Sequence, residues 1–256
     1  MTEDATGIAV RQWGELAPSA VLLDGFHALK HALRFGAEVG PVVTSDRGGV
    51  LELAGRLAPD VSAALDALMV EVDRAVLRSL VPRGHTTEVA GLAVRPARGA
   101  NLAALAARPR RAPVVVLDNP RNLGNVGAVV RLAAGFGVTG VVTTGDLDPW
   151  HQNAVRAGAG LHFATAVERV PAGGVPEGPM FALDADGDDI RSVALPDDAV
   201  LVFGSERHGV SEELRGRADR VVSLPMRAQV SSYNLATSVA MALFHWGGGP
   251  VGVPAG

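Results

Sequence analysis

Short apolar runs recur along the chain, separated by polar turns and by segments with helical spacing. Val21–Asp24 reads as a strand, residues 25–35 as a helix with Phe26, Leu29 and Leu33 near one face, and residues 40–44 as a second strand. Residues 63–68 and 73–79 read as short helices around the apolar pair Met69-Val70, and residues 89–94 as a closing strand. This alternation predicts a small α/β unit of about a hundred residues. The stretch Arg108-Pro-Arg-Arg-Ala-Pro113 lacks an apolar period and reads as a linker. Beyond it, Val114–Leu117, residues 140–144, 180–183, Val200–Phe203 and residues 220–224 read as strands, and residues 163–170 as extended chain. Helical spacing falls on residues 126–136, 153–158 and 234–246, and a further helix begins at residues 211–214. Continuous apolar strands alternating with helices predict a mainly parallel sheet covered on both faces. The expected division is a first domain over residues 1–107, a linker at 108–112, a second domain over 113–247 and a loose Gly/Pro-rich tail at 248–256.

Composition narrows the function. The 256 residues are 48 % hydrophobic and 20 % charged, which excludes a disordered chain. The absence of cysteine excludes disulfides, thiolate metal sites and cysteine nucleophiles. The seven histidines are scattered and no cysteine accompanies them, so no metal is expected. A net charge of −4 excludes a globally basic nucleic-acid coat, so any polyanion must be met by local patches. Up to Ala112 there are 13 basic and 12 acidic residues, and after it 10 and 15. The basic residues are arginine except Lys30, which suits planar pairing with phosphate. The arginine groups are Arg83 with His85, Arg95 with Arg98, and Arg108, Arg110 and Arg111. The N-terminus is acidic and unlike a signal peptide, and the apolar part of the last helix is too short to cross a bilayer. The expectation is a cytoplasmic protein.

Three segments carry candidate chemistry. The first leaves the strand at Leu117 and runs through Asp118-Asn-Pro-Arg-Asn-Leu-Gly-Asn-Val-Gly127 into a helix that carries Arg131. Its asparagines and glycines suit a tight, ligand-approaching turn and equally an ordinary strand-to-helix connection. The spacing G-x-G-x-x-G is absent, which weighs against a dinucleotide-binding turn. The second segment, Gly204-Ser-Glu-Arg-His-Gly-Val-Ser211, opens where a strand ends, the edge at which open α/β sheets bind ligands. Glu206 places a carboxylate there, while Ser211, Glu212 and Glu213 suit a helix start. The third, from Leu224 to Leu235, contains Ser231-Ser-Tyr-Asn234 at the start of the last helix, including the chain's only tyrosine.

In order and spacing the three segments resemble the three motifs of the SpoU (TrmH-type) RNA ribose 2′-O-methyltransferases of the SPOUT class. Arg156-Ala-Gly-Ala-Gly160 is similar to a further segment of that family, with Gly158 in place of serine. More loosely, the first hundred residues resemble a small substrate-binding domain of ribosomal-protein L30e type. The resemblance implies an α/β fold: a C-terminal trefoil-knotted methyltransferase domain with a parallel sheet, plus a small N-terminal α/β substrate-binding domain. It implies S-adenosylmethionine as cofactor, held at Thr143, Thr144, Gly145, Gly204, Leu224, Met226, Tyr233 and Leu235. Arg131 would be the central catalytic residue, with Ser232 at the attacking hydroxyl, Asn122 and Glu206 orienting Arg131, and Asn234 holding the loop or the cofactor. Arg83, Arg95, Arg98, Arg110 and Arg111 would meet RNA, with ribosomal RNA ahead of transfer RNA as the target and a non-catalytic RNA-binding factor as the reading from another class. Neither DNA nor a membrane is expected as a partner. A homodimer is implied, with the terminal helix at its interface; its stripe Leu235, Val239, Ala242, Leu243 and Trp246 suits that or the core of one chain. The chain departs from the family pattern at Ala228, usually glycine, and at Tyr233, usually leucine, so the expectation is a strained loop if φ is positive at Ala228.

Overall fold

The computed structural model describes residues 4–205 and 207–247. Glu206 and the 248–256 tail lie outside the described residues. The chain forms two compact units: the residues up to Ala97 together with Trp150–Ala164, and Arg98–Pro149 together with the residues from Thr165 onward. The expected boundary at 107/108 thus differs from the observed parting at Ala97/Arg98, and the excursion of Trp150–Ala164 into the first unit is additional.

The first unit holds α1 (Ala5–Leu16), β1 (Val21–Asp24), α2 (Phe26–Arg34), β2 (Val39–Thr44), α3 (Arg47–Leu57), α4 (Pro59–Leu68), β3 (Met69–Glu71), α5 (Arg74–Leu80) and β4 (Val89–Ala93). Its four strands lie in the order β1-β4-β2-β3, with β4 antiparallel to both neighbours and β2 parallel to β3. Ala9, Trp13, Val43, Val72, Leu77, Ala90 and Leu92 share one core. Gly25 adopts a φ of 94°, and a side chain there would collide with the His85 ring, so glycine is what lets β1 turn directly into α2.

The second unit begins with α6 (Arg98–Ala106), β5 (Val114–Leu117), α7 (Leu123–Phe136) and β6 (Gly140–Thr143). The chain then enters the first unit as α8 (Gln152–Ala157) and a 3-10 turn at Leu161–Phe163. There Arg156 pairs with Asp24 at 3.1 Å, and His31 Nδ1 donates to Ala159 O at 2.7 Å. The extended segment expected from residue 163 therefore starts only at β7 (Ala166–Arg169). It is followed by β8 (Met180–Asp189), β9 (Val200–Phe203), α9 (Glu212–Arg217), β10 (Arg220–Ser223) and α10 (Leu235–Gly247). The six strands of this unit, ordered β10-β8-β9-β5-β6-β7, are all parallel. Every residue of β5, β6 and β9 is buried, as the unbroken apolar runs require in a sheet covered on both faces. Each such valine or leucine contributes about 1.5–3 kcal/mol by leaving water. Because the strands are parallel, the turns after β5, β6, β9 and β10 emerge at one edge, which is where the three candidate segments lie. No helix among the described residues is long and apolar enough to cross a membrane.

Candidate functional site

Asp118, the residue that follows β5, is the anchor of this edge. It is 5 % exposed, accepts from Thr144 Oγ1 at 2.6 Å through one carboxylate oxygen and from Ser211 N at 2.7 Å through the other. Thr144 Oγ1 in turn accepts from Asn119 N at 2.9 Å. One buried carboxylate thereby ties together the turns after β5 and β6 and the start of α9, whose N-terminus Ser211 caps.

The turn after β9 folds back on itself. Ser205 and Gly209 exchange two backbone hydrogen bonds, of 3.0 and 3.1 Å. A Cβ on Gly204 would fall 1.9 Å from the Gly209 carbonyl carbon, so only glycine lets the backbone strands of this turn close over one another. The turn forms one wall of a cavity of about 590 Å³. Leu183, Asp184 and Ala185 of β8 form a second wall, and the segment between β10 and α10 a third. In β8 the pairing with β10 shifts register at Val221/Val222, leaving the cavity-lining residues 183–185 outside the ladder. Asp184 is held there by Arg215, whose guanidinium donates to it at 2.7 Å and to both oxygens of Asp186. Hydrogen bonding to Asp186 outweighs desolvation and, joined by the charges of Asp186 and Asp184, keeps the Arg215 guanidinium above its ordinary pKa.

Gly204, Leu224, Met226, Ser232, Tyr233, Asn234 and Leu235, singled out from sequence, all line this one hollow. Tyr233 OH donates to Pro225 O at 2.9 Å. Asn234 caps the start of α10, accepting from Ala236 N at 2.9 Å, and its amide donates to Asn125 Oδ1 in the first turn of α7 at 3.1 Å. The left-handed residue of the loop is Gln229, at φ 74°, and not Ala228, so the departure at Ala228 introduces no strain.

Other candidates fall outside the cavity wall. Thr143 and Thr144 are buried beneath the edge, and Gly145 has a φ of 75° with Asn119 packed where a side chain would be. Arg131 stands exposed on α7, with no hydrogen bond or ion pair to any of the described residues. Asn122 is the N-cap of α7, its Oδ1 accepting from Gly124 N at 2.8 Å and Asn125 N at 3.2 Å. At about 1.5 Å rise per residue it stands about 13 Å along the helix from Arg131 and half a turn away, so Asn122 does not orient Arg131 within one chain. Glu206 is outside the described residues.

The arginine candidates separate as well. Arg110, expected to meet RNA, is instead 6 % exposed, and its guanidinium donates to the carbonyls of Glu177 and Asp198, which takes it out of reach of a polyanion. Arg98 is spent on the buried carboxylate of Glu168 at 2.9 Å, and Arg95 lies over the Trp150 ring at 5.5 Å. Arg83 and Arg111 are exposed. Sequence reasoning singled out neither Asp184, hidden in an acidic run that does not look like a strand, nor Asn125, which reads as a turn residue. Among the described residues no group of three His, Asp or Glu side chains could hold a metal ion.

Residues 112–244 match the pattern of the SpoU rRNA Methylase family. Over 241 residues, 87 % of this chain and 84 % of the other, the sequence is 29 % identical to the 23S rRNA (adenosine(1067)-2'-O)-methyltransferase of Streptomyces azureus. In fold it is similar to an AdoMet-bound rRNA methyltransferase from Sinorhizobium meliloti (TM-score 0.73, 22 % identity, 96 % of each chain covered). It is also similar to a SpoU methyltransferase from Streptomyces viridochromogenes in complex with AdoMet (TM-score 0.73, 21 % identity, 95 % of this chain and 97 % of the other).

Proposed function

The chain belongs to the SpoU rRNA methylase family, and from that premise we propose that it methylates a ribose 2′-hydroxyl of ribosomal RNA with S-adenosylmethionine as donor. The observation that carries the proposal is the convergence of Gly204, Leu224 and Asn234 on one hollow. The residues present fit the cofactor: a bare glycine cradle at Gly204 that any Cβ would fill, and apolar walls from Leu224, Met226 and Leu235. Relatives support both parts of the reading, the Streptomyces azureus protein by its name as a 23S rRNA 2'-O-methyltransferase and the two solved structures by their AdoMet.

When bound, S-adenosylmethionine supplies an electrophilic methyl group on a sulfonium. Ser232, at the cavity wall next to the start of α10, would accept a hydrogen bond from the 2′-hydroxyl or pass its proton on to solvent water as the oxygen attacks. Arg131 is a fixed cation on the exposed side of α7, suited to stabilising negative charge at that oxygen and to clamping a neighbouring phosphate. Asn234 fixes Ser232 by binding α7 through Asn125. Thr143, Thr144 and Gly145 are kept in the proposal as cofactor-binding positions in the turn after β6, and Glu206 is assigned to Arg131. Arg83 and Arg111 are the exposed arginines left to meet RNA.

The trefoil knot, the L30e-type character of the first unit, the cytoplasmic setting and the homodimer belong to the same proposal. We place the dimer contact on the open side of α10, where Phe244 is 72 % exposed, because Leu235, Val239, Ala242 and Leu243 are already buried within the chain.

The test is transfer of labelled methyl from S-adenosylmethionine to total RNA, followed by mapping of the modified ribose. Arg131→Ala is expected to abolish transfer while leaving cofactor binding, followed by calorimetry, within about threefold. Turnover retained in that variant removes Arg131 from the chemistry; label on transfer RNA alone removes ribosomal RNA as the target.

A further inference from the structure

The segment joining β10 to α10 leaves and re-enters the cavity wall. Leu224 and Met226 line the cavity at its start, and Ser231, Ser232, Tyr233 and Asn234 at its end. Between these limbs the chain makes a turn closed by Val230 N donating to Arg227 O at 3.1 Å, with Gln229 in the left-handed region. Among the described residues, one hydrogen bond joins the two limbs at the cavity itself: Tyr233 OH to Pro225 O, 2.9 Å. Proline has no N–H, so its carbonyl is the polar group its backbone can offer there. The next side chain, Asn234, is fixed in another direction, to Asn125 of α7. Ser232 therefore sits directly before a pair of residues that pin the chain to β10's exit on one side and to α7 on the other.

We infer that the Tyr233 hydroxyl is a positioning group for the cofactor: by closing the 225–233 loop at its neck it sets how tightly S-adenosylmethionine is held. The inference rests on the proposed function. It goes beyond it in assigning cofactor retention to one phenolic O–H, at a position where the resembled family usually has leucine. A loop with an open neck must be ordered by the cofactor when it binds, and that cost appears as weaker binding.

The experiment compares Tyr233→Phe and Tyr233→Leu with the parent chain, using S-adenosylmethionine itself in calorimetry and in steady-state methylation. Tyr233→Phe keeps the ring and deletes the hydroxyl. Its Kd and KM for S-adenosylmethionine are expected to rise about three- to tenfold, the scale of one hydrogen bond, while the KM for RNA and the melting temperature stay at the parent values. Tyr233→Leu is expected to bind no better than Tyr233→Phe. Parent-like cofactor affinity in Tyr233→Phe with weakened binding in Tyr233→Leu overturns the inference in favour of the ring. A fall in melting temperature that accompanies the affinity loss overturns it in favour of a general structural role. If the parent chain itself binds no S-adenosylmethionine, it is the proposed function that fails, a result separate from either.

Discussion

Replacing Asp118 by alanine tests whether one carboxylate holds the edge of the sheet together. Asp118 is 5 % exposed and accepts two hydrogen bonds, 2.6 Å from Thr144 Oγ1 and 2.7 Å from Ser211 N. Hydrogen bonds to a charged acceptor contribute about 1.5–3 kcal/mol each, and the Ser211 amide would be left without its partner. Taking the low end for both, because the alanine no longer carries a buried charge, the expected loss is about 3 kcal/mol. For a unit of this size that lowers the melting temperature by about 6–12 °C. The assay is urea unfolding in a Trp13→Phe, Trp150→Phe background, where the remaining Trp246 belongs to the second unit and reports its unfolding. Thr144→Val removes one of the same two bonds, so the double variant should cost about 1 kcal/mol or more less than the sum of the singles. A stability for Asp118→Ala within about 0.5 kcal/mol of the background, or strict additivity with Thr144→Val, would refute the reasoning.

Two further outcomes follow from the geometry. Gly204→Ala puts a Cβ 1.9 Å from backbone carbon, so residues 205–210 must move and calorimetry should find S-adenosylmethionine binding weakened more than tenfold; parent-like affinity would show that the turn is not part of the cofactor wall. The Asp189 carboxyl, held by hydrogen bonds from the Arg191 side chain and then its backbone N–H, has its pKa lowered to about 2. A depressed folded-state pKa stabilises the fold above the ordinary carboxylate pKa of about 4, and that contribution disappears as pH falls through about 2. Carboxyl-carbon NMR should therefore give a midpoint near 2 in the parent chain and a higher one in Arg191→Ala; identical midpoints would remove Arg191 as the cause.

The parts of the fold legible in the sequence are those whose burial is local in the chain. Val114–Leu117 and Val200–Phe203 are unbroken apolar runs because both faces of those strands are covered, and their boundaries match the observed strands. α1 escaped notice because Ala9 and Trp13 are its buried residues, too thin a stripe to stand out over twelve positions. α3 escaped because Gly48-Gly49 lie in its first turn, residues that ordinarily argue against a helix. β8 was legible as far as Leu183; its acidic half pairs with β10 only after the register shift, and no alternation announces it. The cavity was legible because its residues cluster in turns after strands. The burial of Arg110 was not: it depends on the carbonyls of Glu177 and Asp198, far along the chain, and arginine in a proline-rich stretch reads as exposed.

The detour of Trp150–Ala164 into the first unit changes what that unit is in genetic and physical terms. It is not a bead added to the front of an enzyme, because the backbone passes between the two bodies three times, after Ala97, after Pro149 and after Ala164. A fragment that starts at Arg98 would still carry Arg156 without Asp24, and Ala159 without His31. Truncation at the first crossing therefore strips a guest segment of its host, and exchange of the front portion between relatives has to carry both pieces to yield a folded chimera.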